Sequence, residues 1–435
     1  MEGNNGYTVK AILLISLLIN VELIWYRSEL ISFCNMPVAT TKNKTFDKRM
    51  AEITITNYGW YHPDPRKGLK APRCMAIRRF NDAIVAHERY NESAWRNLDR
   101  HPNPERPIIA FLDIDTCRHL HWPKFHGDWE TNSDREYDRD PMSTWNEVFQ
   151  KDCQIIEKAL HSPALSSPNS RLVVLSCHEN GPGSIPCLRI DRNVSGPYSK
   201  LLVGHLSAHK NFTHPYDFGL PPWPVKHVAL NQSQKDDIQI CREDSRNLLF
   251  SFNGRWREPF PQFHEYFEPL HGKDGIHAVF QASHYENLTK SAWGLGIVEN
   301  EGPVNQTKDL YYQLLTTSNF VGTPLGDCLY SVRFSEVLSA GAIPVVFADG
   351  WVLPFNKDIV DWSELAVILP QREVNSTLSV LRSISKEKRC NMRRKGFEFF
   401  QKYLAHSSGR LRAILELVEQ SLVKSPRMML SSVPE

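Results

Sequence analysis

What the 435-residue sequence lacks narrows its function first. Its 51 basic residues stand against 49 acidic ones, a formal net charge of +2, so there is none of the excess that holds nucleic acid. No low-complexity block interrupts a composition of 41% hydrophobic, 11% aromatic and 23% charged residues, which excludes a disordered or fibrous chain. None of the nine cysteines is spaced C-x-x-C and no His/Cys framework accompanies them, so zinc modules and dithiol redox proteins drop out. A long uniform hydrophobic stretch is also missing. The best candidate, Ala11 to Tyr26, has 16 residues and is interrupted by Asn20 and Glu22.

That short run is nonetheless informative. Lys10 and Arg27 flank it, Trp25 and Tyr26 suit a membrane interface, and Leu30 and Ile31 extend it towards spanning length. No small-x-small cleavage site follows at once, so the expectation is an uncleaved signal-anchor at 11–33 after a cytosolic tail at 1–10. Eight Asn-x-Ser/Thr sequons, at Asn43, Asn91, Asn193, Asn211, Asn231, Asn287, Asn305 and Asn375, agree with a luminal body. Cys34, beside the anchor, is the candidate for intermolecular pairing among an odd number of cysteines. The basic cluster Lys386 to Lys395 reads as a solvated helix face.

Residues 34–105 read as stem and helical extension, with a helix expected in "CMAIRRFNDAIVAHERY". From Arg106, apolar β-branched runs alternate with helix-period stretches. The runs are "IIAFLDI", "RLVVLSC", "KLLVGHL" and "HVALN", then "NLLFSFNG", "IHAVF", "NFVGTP", "AIPVVFA" and "LAVILP". Runs too apolar to have a wet face, separated by helices, predict parallel sheets covered on both sides. A Pro-rich junction at "GLPPWPVKH" divides them, so two Rossmann-like lobes are expected, at 106–240 and 241–385, with C-terminal helices at 386–435.

The chemistry concentrates in "NFVGTPLGDCLYSVRFSEVLSAGAIPVVFADGWVLPF", Asn319 to Phe355. The pattern predicts a strand, a Pro/Gly turn, a helix opened by Ser331 and ended by Gly341, and a further strand. Free N–H groups at such a helix start favour a phosphate. Arg333 supplies a bidentate donor, and Glu336, one turn on, accepts ribose hydroxyls. An intrahelical ion pair between Arg333 and Glu336 is the plainer alternative.

This segment resembles the donor-binding signature of the exostosin-like glycosyltransferases, family 47. The matching parts are the Phe320 to Gly326 turn, Ser331-x-Arg333-x-x-Glu336, Gly341 to Val345 and Leu353-Pro354-Phe355. "DGWVLPF" is similar to the animal heparan-polymerising members, "TPLG" to plant ones. "NLLFSFNGRWR", "DLYYQLLTTSNF", "HPYDFGLPPWP" and "LVVLSCHENGPGS" continue the resemblance in order, over about Arg106 to Leu422. It implies an α/β GT-B fold: two Rossmann-like lobes facing an interdomain cleft. A UDP-sugar would sit in the C-terminal lobe and a glycan acceptor at the N-terminal one, with inversion at the anomeric carbon. Carried over by position, Arg255 and Arg333 neutralise phosphate, Tyr311 contacts the nucleotide, and Ser331 and Glu336 complete the donor site. No tightly bound cofactor and no divalent metal is called for. Animal members carry arginines where this chain has Leu325, Asp327 and Cys328, cations that a uronic acid donor would want.

Asp113-Ile114-Asp115-Thr116 ends the first apolar run. A haloacid-type phosphatase needs its Thr one residue later, and a metal-binding Asp-x-Asp belongs near the nucleotide site, some two hundred residues away here. A polar strand end lining the cleft is what remains. Inversion needs a base to take the acceptor's proton. Glu179 is the first candidate, with Asp115 and Asp217 as alternatives, each open to an ordinary capping or turn role. The expectation is therefore a UDP-sugar-dependent Golgi enzyme, single-pass type II with a luminal body, acting alone or in a homo- or hetero-oligomer. The alternative is a catalytically silent subunit that supports an active partner.

Overall fold

The computed structural model describes residues 53–58, 80–113, 141–176, 186–188, 196–206, 208–211, 217–221, 226–242, 246–255, 260–281, 302–304, 310–326, 329–355 and 359–423. The expected signal-anchor lies outside them. Among the described residues no helix is long and apolar enough to cross a membrane. One compact unit, Glu52–Glu435, contains two five-stranded sheets in which every pair of neighbours is parallel.

The first sheet runs in sequence order: β1 (Thr54–Asn57), β2 (Ile108–Asp113), β3 (Arg171–Ser176), β4 (Leu201–His205) and β5 (Phe218–Gly219). Its edge strand β1 falls within 34–105, so the segment read as stem contributes to the sheet. In β2, Ile108, Ala110 and Leu112 share a core with Ile156 and Leu160 of a helix at Pro141–Leu160. Ile109 and Phe111 take the opposite face, where Phe111 meets Phe80 at 6.2 Å between ring centroids. With both faces covered, the strand has no polar alternation to show. A disulfide ties Cys153 to Cys187.

The second sheet is ordered β12-β11-β10-β7-β8. Its strands are β7 (Leu248–Arg255), β8 (Ile276–Gln281), β10 (Ser318–Pro324), β11 (Ile343–Phe347) and β12 (Val367–Ile368). The chain leaves β7 to one side for β8, then returns past β7 to build β10, β11 and β12 on the other. The direction of winding therefore reverses between β7 and β10. Alternation splits β10: Phe320 joins the core holding Phe263 and Phe267, while Val321 packs with Leu315 and Val337 on the other face.

β6 (Lys226–Val228) and β9 (Gly302–Val304) form a separate two-stranded sheet. Although the expected first lobe runs to residue 240, the Val228 N–H donates to Ser339 Oγ at 2.9 Å and Val228 shares the Val321–Val337 core. These residues pack on the second sheet because β6 has its apolar partner there. Gly341 ends its helix with φ +65°; a Cβ there would come 2.3 Å from Ile238 Cδ1, so the helix end and the 232–239 helix meet through the absence of a side chain. A second disulfide joins Cys241 to Cys390.

A backbone seam links the sheets. The Lys210 N–H donates to the Gly350 carbonyl at 2.8 Å, Val352 N–H to Ala208 at 2.8 Å, and Phe355 N–H to Gly219 at 2.9 Å. The basic cluster lies on a helix at Lys386–Phe399, with Lys386 and Lys388 exposed, Arg389, Arg394 and Lys395 half-buried, and Arg393 turned inward. Lys388 and Lys395 each stand 2.8 Å from Glu364, hydrogen bonds that hold its carboxyl down to about 2. Arg393 is 2% exposed and donates from Nε to the Gly341 carbonyl at 3.1 Å.

Candidate functional site

In an open parallel sheet the carboxyl ends of two adjacent strands part where the winding reverses, leaving a crevice lined by loops and helix starts. Here that place lies between β7 and β10, and the expected donor residues Tyr311, Arg333 and Glu336 converge on it. Arg333 begins the helix Arg333–Ser339, with Val332 rather than Ser331 at the cap position. Ser331 makes the preceding turn, its carbonyl accepting the Phe334 N–H at 3.1 Å.

The Arg333 guanidinium spans the crevice. Nη2 donates to the Asn253 carbonyl of β7 at 2.8 Å and Nη1 to the Gly322 carbonyl of β10 at 3.4 Å. Its central carbon lies 4.3 Å from the Phe252 ring centroid and 5.3 Å from that of Tyr311. Among the described residues it has no carboxylate within ion-pair distance, so the plainer alternative of an Arg333–Glu336 ion pair gives way to a cation held by carbonyls and ring faces. Gly254 makes the approach feasible, since a Cβ there would stand 2.4 Å from Nη2.

Glu336 is 7% exposed, and the Tyr311 hydroxyl donates to its Oε2 at 2.5 Å. Burial of the phenol, and next the Glu336 charge, push Tyr311 well above its ordinary pKa against the pull of Arg333. Tyr311 therefore remains a donor throughout the physiological range and orients the carboxylate. Tyr311→Phe should lower the free energy of unfolding by about 1.5–3 kcal/mol, the contribution of a hydrogen bond to a charged group. Urea denaturation measures it; a loss below about 0.5 kcal/mol would mean that Glu336 finds an equal partner elsewhere.

The other named residues fall differently. Arg255 ends β7 beside this crevice, with its side chain outside the described part. Asp113 ends β2, whose partner is β3; Asp115 and Glu179 come shortly after those two strands in sequence and lie outside the described residues. Asp217 is buried in the first sheet at 4% exposure. Its Oδ1 accepts the Val203 N–H at 3.2 Å, and its Oδ2 stands 3.7 Å from His205 Nε2. Among the described residues no three His, Cys, Asp or Glu side chains gather as a metal site. The sequence by itself assigns Phe252 and Gly254 no task; the Phe-x-Gly spacing at a strand end is the signal for a ring under, and a gap beside, a long cation.

Fold and site together define a parallel α/β protein of two sheets, with a clamped arginine and an oriented carboxylate at the switch point of the second. The Exostosin GT47 domain matches residues 173–384, and over that stretch the chain is similar to the exostosin glycosyltransferases. It is 28% identical over 223 residues to the exostosin-1 homolog of Caenorhabditis elegans, covering 49% of this chain and 56% of that protein. To human exostosin-2 it is 28% identical over 162 residues, 37% of this chain and 22% of that one. The chain thus spans about half the length of the worm relative and about a fifth of the human one. Among solved structures, Anabaena HepE in complex with UDP-glucose aligns at 12% identity and TM-score 0.30, covering 75% and 73% of the two chains. WaaG, a glycosyltransferase of lipopolysaccharide biosynthesis, aligns at 10% identity and TM-score 0.33, covering 83% and 98%.

Proposed function

We propose that the chain transfers a sugar, with inversion, from a UDP-sugar to a hydroxyl of a glycan acceptor, as a GT-B enzyme anchored in the Golgi membrane with its body in the lumen. The observation that carries this is the Arg333–Tyr311–Glu336 cluster at the β7–β10 switch point, where one cation and one carboxylate stand ready for a nucleoside diphosphate. Arg333, with Arg255 from the end of β7, would balance the diphosphate charge that grows as the anomeric carbon–oxygen bond breaks. Glu336 would accept ribose hydroxyl protons and so set the nucleotide's register. The acceptor oxygen forms the new bond to the anomeric carbon from the opposite side, UDP departs, and a base, proposed as Glu179, takes the acceptor's proton.

The test is nucleotide binding followed by thermal unfolding, with UDP against GDP and CMP. At 100 times its dissociation constant UDP should stabilise the protein by about 2.7 kcal/mol, and Glu336→Ala should abolish the shift. Cooperative unfolding with no shift from any nucleotide would sink the donor assignment and favour a catalytically silent subunit beside an active partner.

A further inference from the structure

A cavity of about 570 Å³ lies on the second sheet's other side from Tyr312 and Val337, between the helix Pro261–Phe267 and the turn Gln371–Ser376. Helical spacing builds one wall. Phe263 and Phe267 face the core at 3% and 0% exposure, which turns Gln262, Glu265 and Tyr266, at i, i+3 and i+4, towards the cavity. Phe260 and Val374, 4% and 2% exposed, contribute apolar surface to the floor. The opposite wall includes Gln371 and Asn375. Asn375 is exposed, and with Ser376 and Thr377 it forms one of the eight glycosylation sequons.

The lining has the chemistry of a sugar site. Carboxamides of Gln262 and Gln371 each offer donors and an acceptor, as hydroxyl and N-acetyl groups require. Tyr266 offers a flat apolar face with a polar tip, suited to the C–H face of a pyranose. The wall's one cation, Arg372, is 81% exposed, and its charge is offset by Glu373, whose carboxylate lies 3.6 Å from Nη2. That favours a neutral saccharide over an anionic one. The volume falls within the roughly 300–1,000 Å³ that holds a small ligand, the size class of one or two sugar rings.

We propose that the cavity seats the neutral N-acetylhexosamine core of the glycan carried by Asn375, so that the modification packs as part of the fold. Attachment at the cavity wall replaces a bimolecular encounter with an intramolecular one at high effective concentration. Few sugar contacts then suffice. The inference requires a luminal body, as the functional proposal does, but not transferase activity.

The full chain, expressed in a secreting eukaryotic cell and purified natively, would be treated with peptide N-glycosidase. Release would be followed at each sequon by glycopeptide mass spectrometry. Release at Asn375 should be about tenfold slower than at the exposed Asn91, the factor that 1.4 kcal/mol of seating confers. Tyr266→Ala should remove most of that difference while leaving Asn91 unchanged. Equal rates at the two sites, or a slow Asn375 indifferent to Tyr266→Ala, would overturn the proposal. So would an unmodified Asn375 in protein glycosylated at Asn91, a result that leaves the luminal location standing. Absence of glycan at every sequon would overturn both.

Discussion

Arg333→Ala should lower kcat/KM for sugar transfer by about a hundred- to a thousandfold, the loss that follows removal of one preorganised donor to a developing negative charge. The argument rests on how the charge is held. Two backbone carbonyls, Asn253 on β7 and Gly322 on β10, fix the guanidinium, and ring faces of Phe252 and Tyr311 border it. Among the described residues no carboxylate neutralises it, so its charge remains available to a diphosphate. Arg333→Lys would keep a charge but lose the planar fork that reaches both strands, and should fall between the wild type and the alanine variant. Initial-rate kinetics on both variants, with unfolding midpoints alongside, would decide. Near-normal kcat/KM with a lowered midpoint would make Arg333 a strut between two strands rather than a phosphate ligand.

The largest effect on stability should come from Arg246→Met, about 3–5 kcal/mol, because three buried carbonyls would each lose a donor at a cost of about 1–3 kcal/mol. Arg246 is 7% exposed and donates to three backbone carbonyls: Leu315, Ser318 and Ala340. Two of these lie at the carboxyl ends of the helices Leu310–Thr317 and Arg333–Ser339, where carbonyls have no partner within the helix and the dipole favours a cation. Burial pulls the guanidinium's pKa well down, with the nearby Arg393 charge adding to it. Methionine would fill much of the volume and satisfy none of the oxygens. Urea denaturation measures the difference; a loss under about 1 kcal/mol would show that water replaces the guanidinium. Because one of those helices begins at Arg333, the variant should also weaken UDP binding.

The second sheet was legible in the sequence because its strands are short apolar runs bounded by glycine, proline and helix-period segments. "NFVGTP" and "AIPVVFA" contain β10 and β11, and Gly341 ends the helix between them. In the first sheet only β2, β3 and β4 were legible, since β5 is two residues, Phe218–Gly219, where the Pro-rich junction begins. β1 is "TITN", two threonines and an asparagine around one isoleucine, and alternation this brief acquires meaning only when Ile108 to Phe111 lie alongside it. The helix expected over Cys74 to Tyr90 appears at residues 80–85 in the described part. "HVALN" reads as strand-forming, yet propensity does not say which sheet it packs against. Val228 settles on Val321 and Val337, far away in sequence.

The candidate site divides the same way. The spacing of Arg333 and Glu336, one helical turn apart, and the strand–turn–helix order around them are local properties, written in the sequence by periodicity and by glycine and proline. Residue order alone therefore determined an α/β chain with a donor-type signature at a strand end. Whether Arg333 would pair with Glu336 or reach across to Asn253 could not be read locally, because both are within reach of a long side chain. Tertiary structure decided it: β7 lies beside β10, Gly254 leaves room for Nη2, and Tyr311 takes Glu336. The buried task of Arg246 was equally hidden. Its three carbonyl partners come together only when helix ends and a strand start separated by some seventy to ninety residues are packed around it, where no water competes for them.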